Sequence, residues 1–101
     1  MQIARLSQAK LRKGANRLQV PQCLLTGLER YLEYGNHPGG FMQAVLTNDL
    51  FDAVQRADDT SLPFLSEVCE LVYNCVDGRA WGDREKVDAW MEHHGYAGVG
   101  F

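Results

Sequence analysis

A chain of 101 residues, 46% of them apolar, with a formal charge of −3, has the size and composition of one globular domain. That composition excludes wholesale disorder, and no uncharged apolar run approaches the ~20 residues of a membrane-spanning helix. The small net charge hides a division: five cations and no anion precede Glu29, whereas five cations and thirteen anions follow Arg17, net −8.

Residues 1–19 form the basic part, carrying Arg5, Lys10, Arg12, Lys13 and Arg17. Met1-Gln2-Ile3-Ala4-Arg5 has no continuous hydrophobic region and does not read as a secretory signal. Ile3, Leu6, Ala9 and Leu18 give a weak helical period that Gly14 and Asn16 interrupt. Such a segment is expected as a short helix, a frayed one, or an arm that orders against an acidic surface of its own chain or of a partner.

Pro21 suits a first helical turn, and Leu24, Leu25, Leu28, Tyr31 and Leu32 then mark one face of a helix over about 21–34 that Gly35 stops. Gly27 inside it costs roughly 1 kcal/mol of propensity, which a close helix crossing would explain. Asn36-His37-Pro38-Gly39-Gly40 reads as a turn. The following stretch, 38–58, is the most apolar of the chain. Phe41, Val45, Leu46, Leu50, Val54 and Ala57 recur at steps of three and four, and Met42, Phe51 and Ala53 widen the stripe. That pattern predicts one central helix with neighbours on more than one side.

Thr60 or Ser61 caps the next helix and Pro63 fits its first turn; Leu62, Leu65, Val68, Cys69, Val72 and Val76 supply its stripe. After Asp77-Gly78, Gly82 or Asp83 is the N-cap of a last helix carrying Val87, Trp90, Met91 and His94 on one side, anchored by Trp81 and Trp90 and stopped by Gly95. Residues 95–101 are too glycine-rich for regular structure, although Tyr96 and Phe101 offer aromatic side chains for docking. The expected fold is all-α: a compact bundle of about four core helices over residues 20–94, an N-terminal basic arm or helix over 1–19, and a glycine-rich tail.

Site chemistry is sparse. Cys23, Cys69 and Cys75 are odd in number, contain no C-x-x-C pair and fall at or beside helical apolar positions, so buried free thiols in a reducing cytoplasm are expected. His37, His93 and His94 are the imidazoles; adjacent His93 and His94 point about 100° apart on a helix and cannot chelate one ion. Neither a metal nor a cofactor is implied, and no motif marks an enzyme. Gly39-Gly40 before a helix offers free N–H groups to an anion, without the lysine and serine of a nucleotide fingerprint. The basic arm has charge for phosphates but no aromatic residue for base stacking, which argues against nucleic acid.

The residues Pro21, Leu28, Tyr31-Leu32, Gly35, Gly39-Gly40-Phe41-Met42, Ala44-Val45-Leu46, Asn48-Asp49-Leu50, Ala57-Asp58, Val72-Tyr73-Asn74, Trp81-Gly82, Val87 and Trp90 together resemble a group of small proteins encoded by bacteriophages and prophages. The resemblance spans about 20–92 and departs at Cys75-Val76-Asp77, where a proline-containing loop is expected. It implies a genomic setting, in a bacterial cytoplasm, rather than a mechanism. Two functions are expected from it together with the charge. One is a stoichiometric inhibitor or adaptor of a host defence protein, contacting it through Asp49, Asp52, Asp58 and Asp59 on the acidic surface. The other is a homo-oligomer that sequesters an anionic nucleotide with Gly39, Gly40, Arg12 and Arg17, stacked on Tyr31, Tyr34 or Trp81.

Overall fold

The computed structural model describes residues 2–98; the side chains of Ile3, Arg5 and Leu6, and residue Phe101, lie outside what it describes. Among the described residues the fold is all-α. Its helices are α1 (Gln2–Leu18), α2 (Gln22–Tyr34), α3 (Gly40–Leu46), α4 (Leu50–Arg56), α5 (Leu65–Cys75) and α6 (Arg84–Glu92), with 3-10 turns at Leu62–Phe64 and Gly95–Ala97.

The basic segment is a full helix that belongs to the core. Leu11 and Ala15 are buried on its inner face, and Leu18 packs against the same cluster. Gly14 is the point where α1 meets α5: a Cβ there would lie 2.7 Å from Cys75 Sγ and 2.9 Å from Leu71 Cδ1. The glycine that interrupts the sequence period is thus what allows the close crossing. A Cβ on Gly27, by contrast, would lie 3.3 Å from the Pro38 carbonyl oxygen, which belongs to the turn before α3 and not to another helix. Lys10, Arg12, Lys13 and Arg17 stay outside, where Arg12 pairs with Glu29 of α2 at 2.7 Å.

α2 buries Leu25, Leu28, Tyr31 and Leu32, as its spacing predicts, and ends at Gly35 with φ 74°. The stretch expected as one central helix is two. α3 is buried nearly all round, through Phe41, Met42, Ala44 and Leu46. It stops because Asn48 takes the left-handed conformation at φ 63°, while the Asp49 amide donates to the Ala44 carbonyl at 2.9 Å. Asp49 then caps α4, its carboxylate accepting from the Asp52 amide at 3.1 Å.

A tight turn follows α4. The Asp58 carboxylate accepts from the Ser61 amide at 2.8 Å, the Ser61 hydroxyl at 3.0 Å and the Thr60 amide at 3.0 Å. Those bonds, the Ser61 amide first, hold its carboxyl below the ordinary range. On α5 the inward residues are Val68, Leu71 and Val72; Leu62 and Cys69, expected in the stripe, are exposed. The rest of the expected stripe holds, with Val68, Val72 and Val76 buried and Leu65 packed on the core, while Leu62 lies in the 3-10 turn ahead of the helix.

α6 starts at its Asp83 cap, which accepts from the Lys86 amide at 2.8 Å, and inserts Val87 and Trp90 into the core. It ends earlier than expected: His94 lies outside the helix, exposed, with φ 65°. The helix is fastened by an aromatic cluster. Trp90 Nε1 donates to the Tyr31 carbonyl at 3.0 Å, the Tyr31 hydroxyl donates to the Ala80 carbonyl at 2.6 Å, and the Tyr96 ring meets Trp90 edge-on at 5.0 Å. Tyr96 in turn donates to Asp77 at 3.1 Å, beside the Asp77–Arg79 ion pair at 2.6 Å.

This last network has a pH signature. The Arg79 guanidinium, above all other causes, lowers the Asp77 carboxyl from its ordinary 3.8 to about 2. A depressed carboxylate stabilises the fold fully above its unfolded value, and that contribution is lost as pH falls through the folded value. Asp77→Asn is therefore expected to cost about 1 kcal/mol at pH 7, discounted for the exposure of Arg79. The gap between variant and wild type should close between pH 4 and pH 2 in urea titrations. A gap that persists unchanged at pH 2 would assign the loss to packing instead.

Candidate functional site: the exposed face of α4

α4 is a seven-residue helix lying principally on α3, and Ala53 is the residue it buries. Its large apolar side chains point the other way: Leu50 is 58% exposed, Phe51 83% and Val54 44%. The residues share a face because they sit one and four positions apart on a 3.6-residue period. Their exposure follows from the Asn48 break, which ends α3 and restarts the chain as a separate helix with a different inner residue. Sequence spacing expected this stripe to be core. The structure turns it outward.

Carboxylates lie near α4 but off this stripe. Asp49 precedes the helix, Asp52 points roughly 150° round from the stripe into the wall of a polar cleft that Asp49 and Arg56 also line, and Asp58 and Asp59 follow the C-terminus. Three of these four expected contact residues have local partners: Asp49 caps α4, Asp58 organises the 58–61 turn, and both Asp52 oxygens accept from Arg56 Nε at 3.0 Å. Local bonding does not remove their charge, but Arg56 and Arg84 line the same cleft as Asp49 and Asp52 and balance those two.

The residues expected to hold a nucleotide are not gathered together. Tyr31 is fully buried and its hydroxyl is bonded to Ala80, so it offers no ring face to a ligand. Desolvation by burial, more than the neighbouring Asp88, raises that hydroxyl far above its ordinary range. Arg12 lines a groove between α1 and α2 with Asn16, Gln22 and Glu29, and Arg17 is exposed on the same helix. Tyr34 is exposed at the last position of α2, and the half-buried Trp81 meets the Tyr73 ring edge-on at 6.0 Å. The cation beside the glycines is Arg56, whose guanidinium lies 3.0 Å from where a Gly40 Cβ would stand. Gly40 opens onto a polar cleft of about 460 Å3 that it shares with His37, Gln43, Asp49, Asp52 and Arg84. The wall carries Asp49 and Asp52 against Arg56 and Arg84, a balanced set that selects neither sign of charge. His37 itself serves the turn, its Nδ1 accepting from the Gly39 amide at 3.1 Å.

The thiols also differ from expectation. Cys23 and Cys69 are exposed and Cys75 is half-buried against α1. Desolvation raises the Cys69 thiol, the wrong direction for a nucleophile. Among the described residues no cluster of three or more His, Cys, Asp or Glu is placed to hold a metal ion, and no helix is long and apolar enough to cross a membrane.

No protein-family model, curated protein or solved structure matches this chain. The case for function therefore rests on the residues themselves.

Proposed function

We propose that this chain is a non-enzymatic, stoichiometric binding protein that docks on a protein partner through α4. The observation that carries this reading is the exposure of Leu50, Phe51 and Val54 on one face of a single short helix. Single exposed apolar residues are ordinary on protein surfaces, whereas a contiguous apolar patch with a polar border is the mark of an interaction site. The net charge of −8 beyond Arg17 disfavours nucleic acid and anionic lipid as partners of this part of the chain. The phage-like motif residues fit an inhibitor or adaptor of a host protein, with the host bacterial cytoplasm as its setting.

Phe51→Ser tests the reading cleanly, because a side chain 83% exposed contributes little to folding. Wild-type bait in lysate of the producing cell is expected to retain a partner near 1:1. The variant should lose that partner at least tenfold, about 1.4 kcal/mol of binding, while keeping its melting temperature within a few degrees. Equal retention by both baits would sink the reading.

A further inference from the structure

The polar cleft beside α4 is assembled from four parts of the chain. His37 comes from the turn, Gln43 from α3, Asp49 and Arg56 from the two ends of α4, and Arg84 from the first turn of α6. Gly40 and Ala44 line it with nothing longer than a methyl group, which leaves about 460 Å3 open, a volume usual for small-molecule sites. We propose that this cleft binds a small zwitterion of amino-acid type, a free amino acid or a dipeptide. Arg84 takes its carboxylate and Asp49 its ammonium group.

The charges decide this. Asp52 and Arg56 are occupied with each other, both Asp52 oxygens accepting from Arg56 Nε at 3.0 Å. One open group of each sign is left. Arg84 is exposed and has no ion-pair partner among the described residues. Asp49 caps α4 with Oδ1 and keeps Oδ2 for a guest. A pure anion meets Asp49 and a pure cation meets Arg84, each unfavourably, whereas a molecule with both charges is matched at both ends. The neutral groups suit the amides of such a guest. His37 accepts from the Gly39 amide on Nδ1, so its neutral ring carries the proton on Nε2 as a donor. The Gln43 side chain supplies a donor and an acceptor from the same wall. An extended dipeptide spans at most about 7 Å, enough for residues of two separate helices to hold one end each. The cleft lies round α4 from Leu50, Phe51 and Val54, so it stands or falls apart from the docking of that face.

The test titrates isotope-labelled protein with glutamine and with alanylglutamine, each as the zwitterion, as its N-acetyl derivative and as its C-terminal amide. At least one zwitterion is expected to give saturable amide shifts at Gly40, Gln43 and Arg84 at millimolar concentration. Its acetylated and amidated forms should bind at least tenfold more weakly. Which zwitterion binds tells a free amino acid from a peptide. Arg84→Gln should erase the advantage of the zwitterion over the amide. Asp49→Asn, which keeps a capping side chain for α4, should erase its advantage over the acetylated form. Phe51→Ser should leave the titration unchanged, so loss of a protein partner from that variant bears on α4 docking alone. Equal affinity of the three forms, no saturable shift with either zwitterion, shifts confined to residues outside the cleft, or unchanged selectivity in both cleft variants would overturn the proposal.

Discussion

Replacing Trp90 by alanine is expected to cost about 3–5 kcal/mol, a large share of the total stability of a domain this size. Trp90 is fully buried, touches Tyr31 with ring centres 6.5 Å apart and Tyr96 at 5.0 Å, and carries the Arg79 guanidinium at 5.8 Å from its ring centre. Alanine removes the filled volume and takes one of two donors from the Tyr31 carbonyl, which keeps the Gly35 amide at 2.8 Å. The cavity cannot close easily, because Tyr31 is itself fixed by its hydroxyl bond to Ala80. Urea denaturation should show the midpoint falling with little change of slope. A loss below about 2 kcal/mol would mean that the cluster collapses around the gap.

Gly95→Ala is expected to be nearly as severe for a different reason. A Cβ at this position would lie 2.4 Å from the Leu32 carbonyl oxygen and 2.9 Å from the Gly35 amide nitrogen, both of them backbone. The residue also sits at φ +62°, where a side chain costs roughly 1–2 kcal/mol before any clash. The backbone of α2 cannot yield without moving Leu32 and Tyr31, so the 3-10 turn must retreat and take the Tyr96 ring off Trp90. The expected loss is about 3–4 kcal/mol, with a fall in the near-ultraviolet aromatic dichroism. Gly78→Ala is the matched control: nothing lies within 4 Å of its would-be Cβ and its φ is ordinary, so a change within about 0.5 kcal/mol is expected. If the two variants lose equal stability, the close approach of the two backbones is not what Gly95 is for.

Much of the architecture is legible in the residues because periodicity and stop signals act locally. The inner face of α2, its Gly35 stop, the Asp83 cap and the anchoring of α6 by Trp90 all follow from spacing and chemistry within one element. The break at Asn48 is the instructive miss. Leu46, Leu50 and Val54 continue a helical spacing across it, and the period masks two local signals, an asparagine suited to the left-handed conformation and an aspartate suited to an N-cap. Periodicity tells which side chains share a face. It does not tell whether another element arrives to cover that face, and for Leu50, Phe51 and Val54 none does. The same limit explains Cys69, whose place in the α5 stripe belongs to Leu71. It also explains Tyr31, whose hydroxyl partner is 49 positions away, and Gly14, whose partner Cys75 belongs to another helix.

The Tyr31 junction sets the order in which the chain can assemble. Its two hydrogen bonds reach across 49 and 59 positions, while α3 and α4 are neighbours along the chain. Closing a loop of about sixty residues costs roughly 1.6 kcal/mol more entropy than closing one of ten. The local pairs can meet before this price is met, whereas the docking of α6 must bear it in full. The tryptophan that locks the fold thus sits on a helix whose docking closes a loop nearly as long as the one between Gly14 and Cys75, and a nascent chain must hold α2 ready for it until nearly the whole domain has been made.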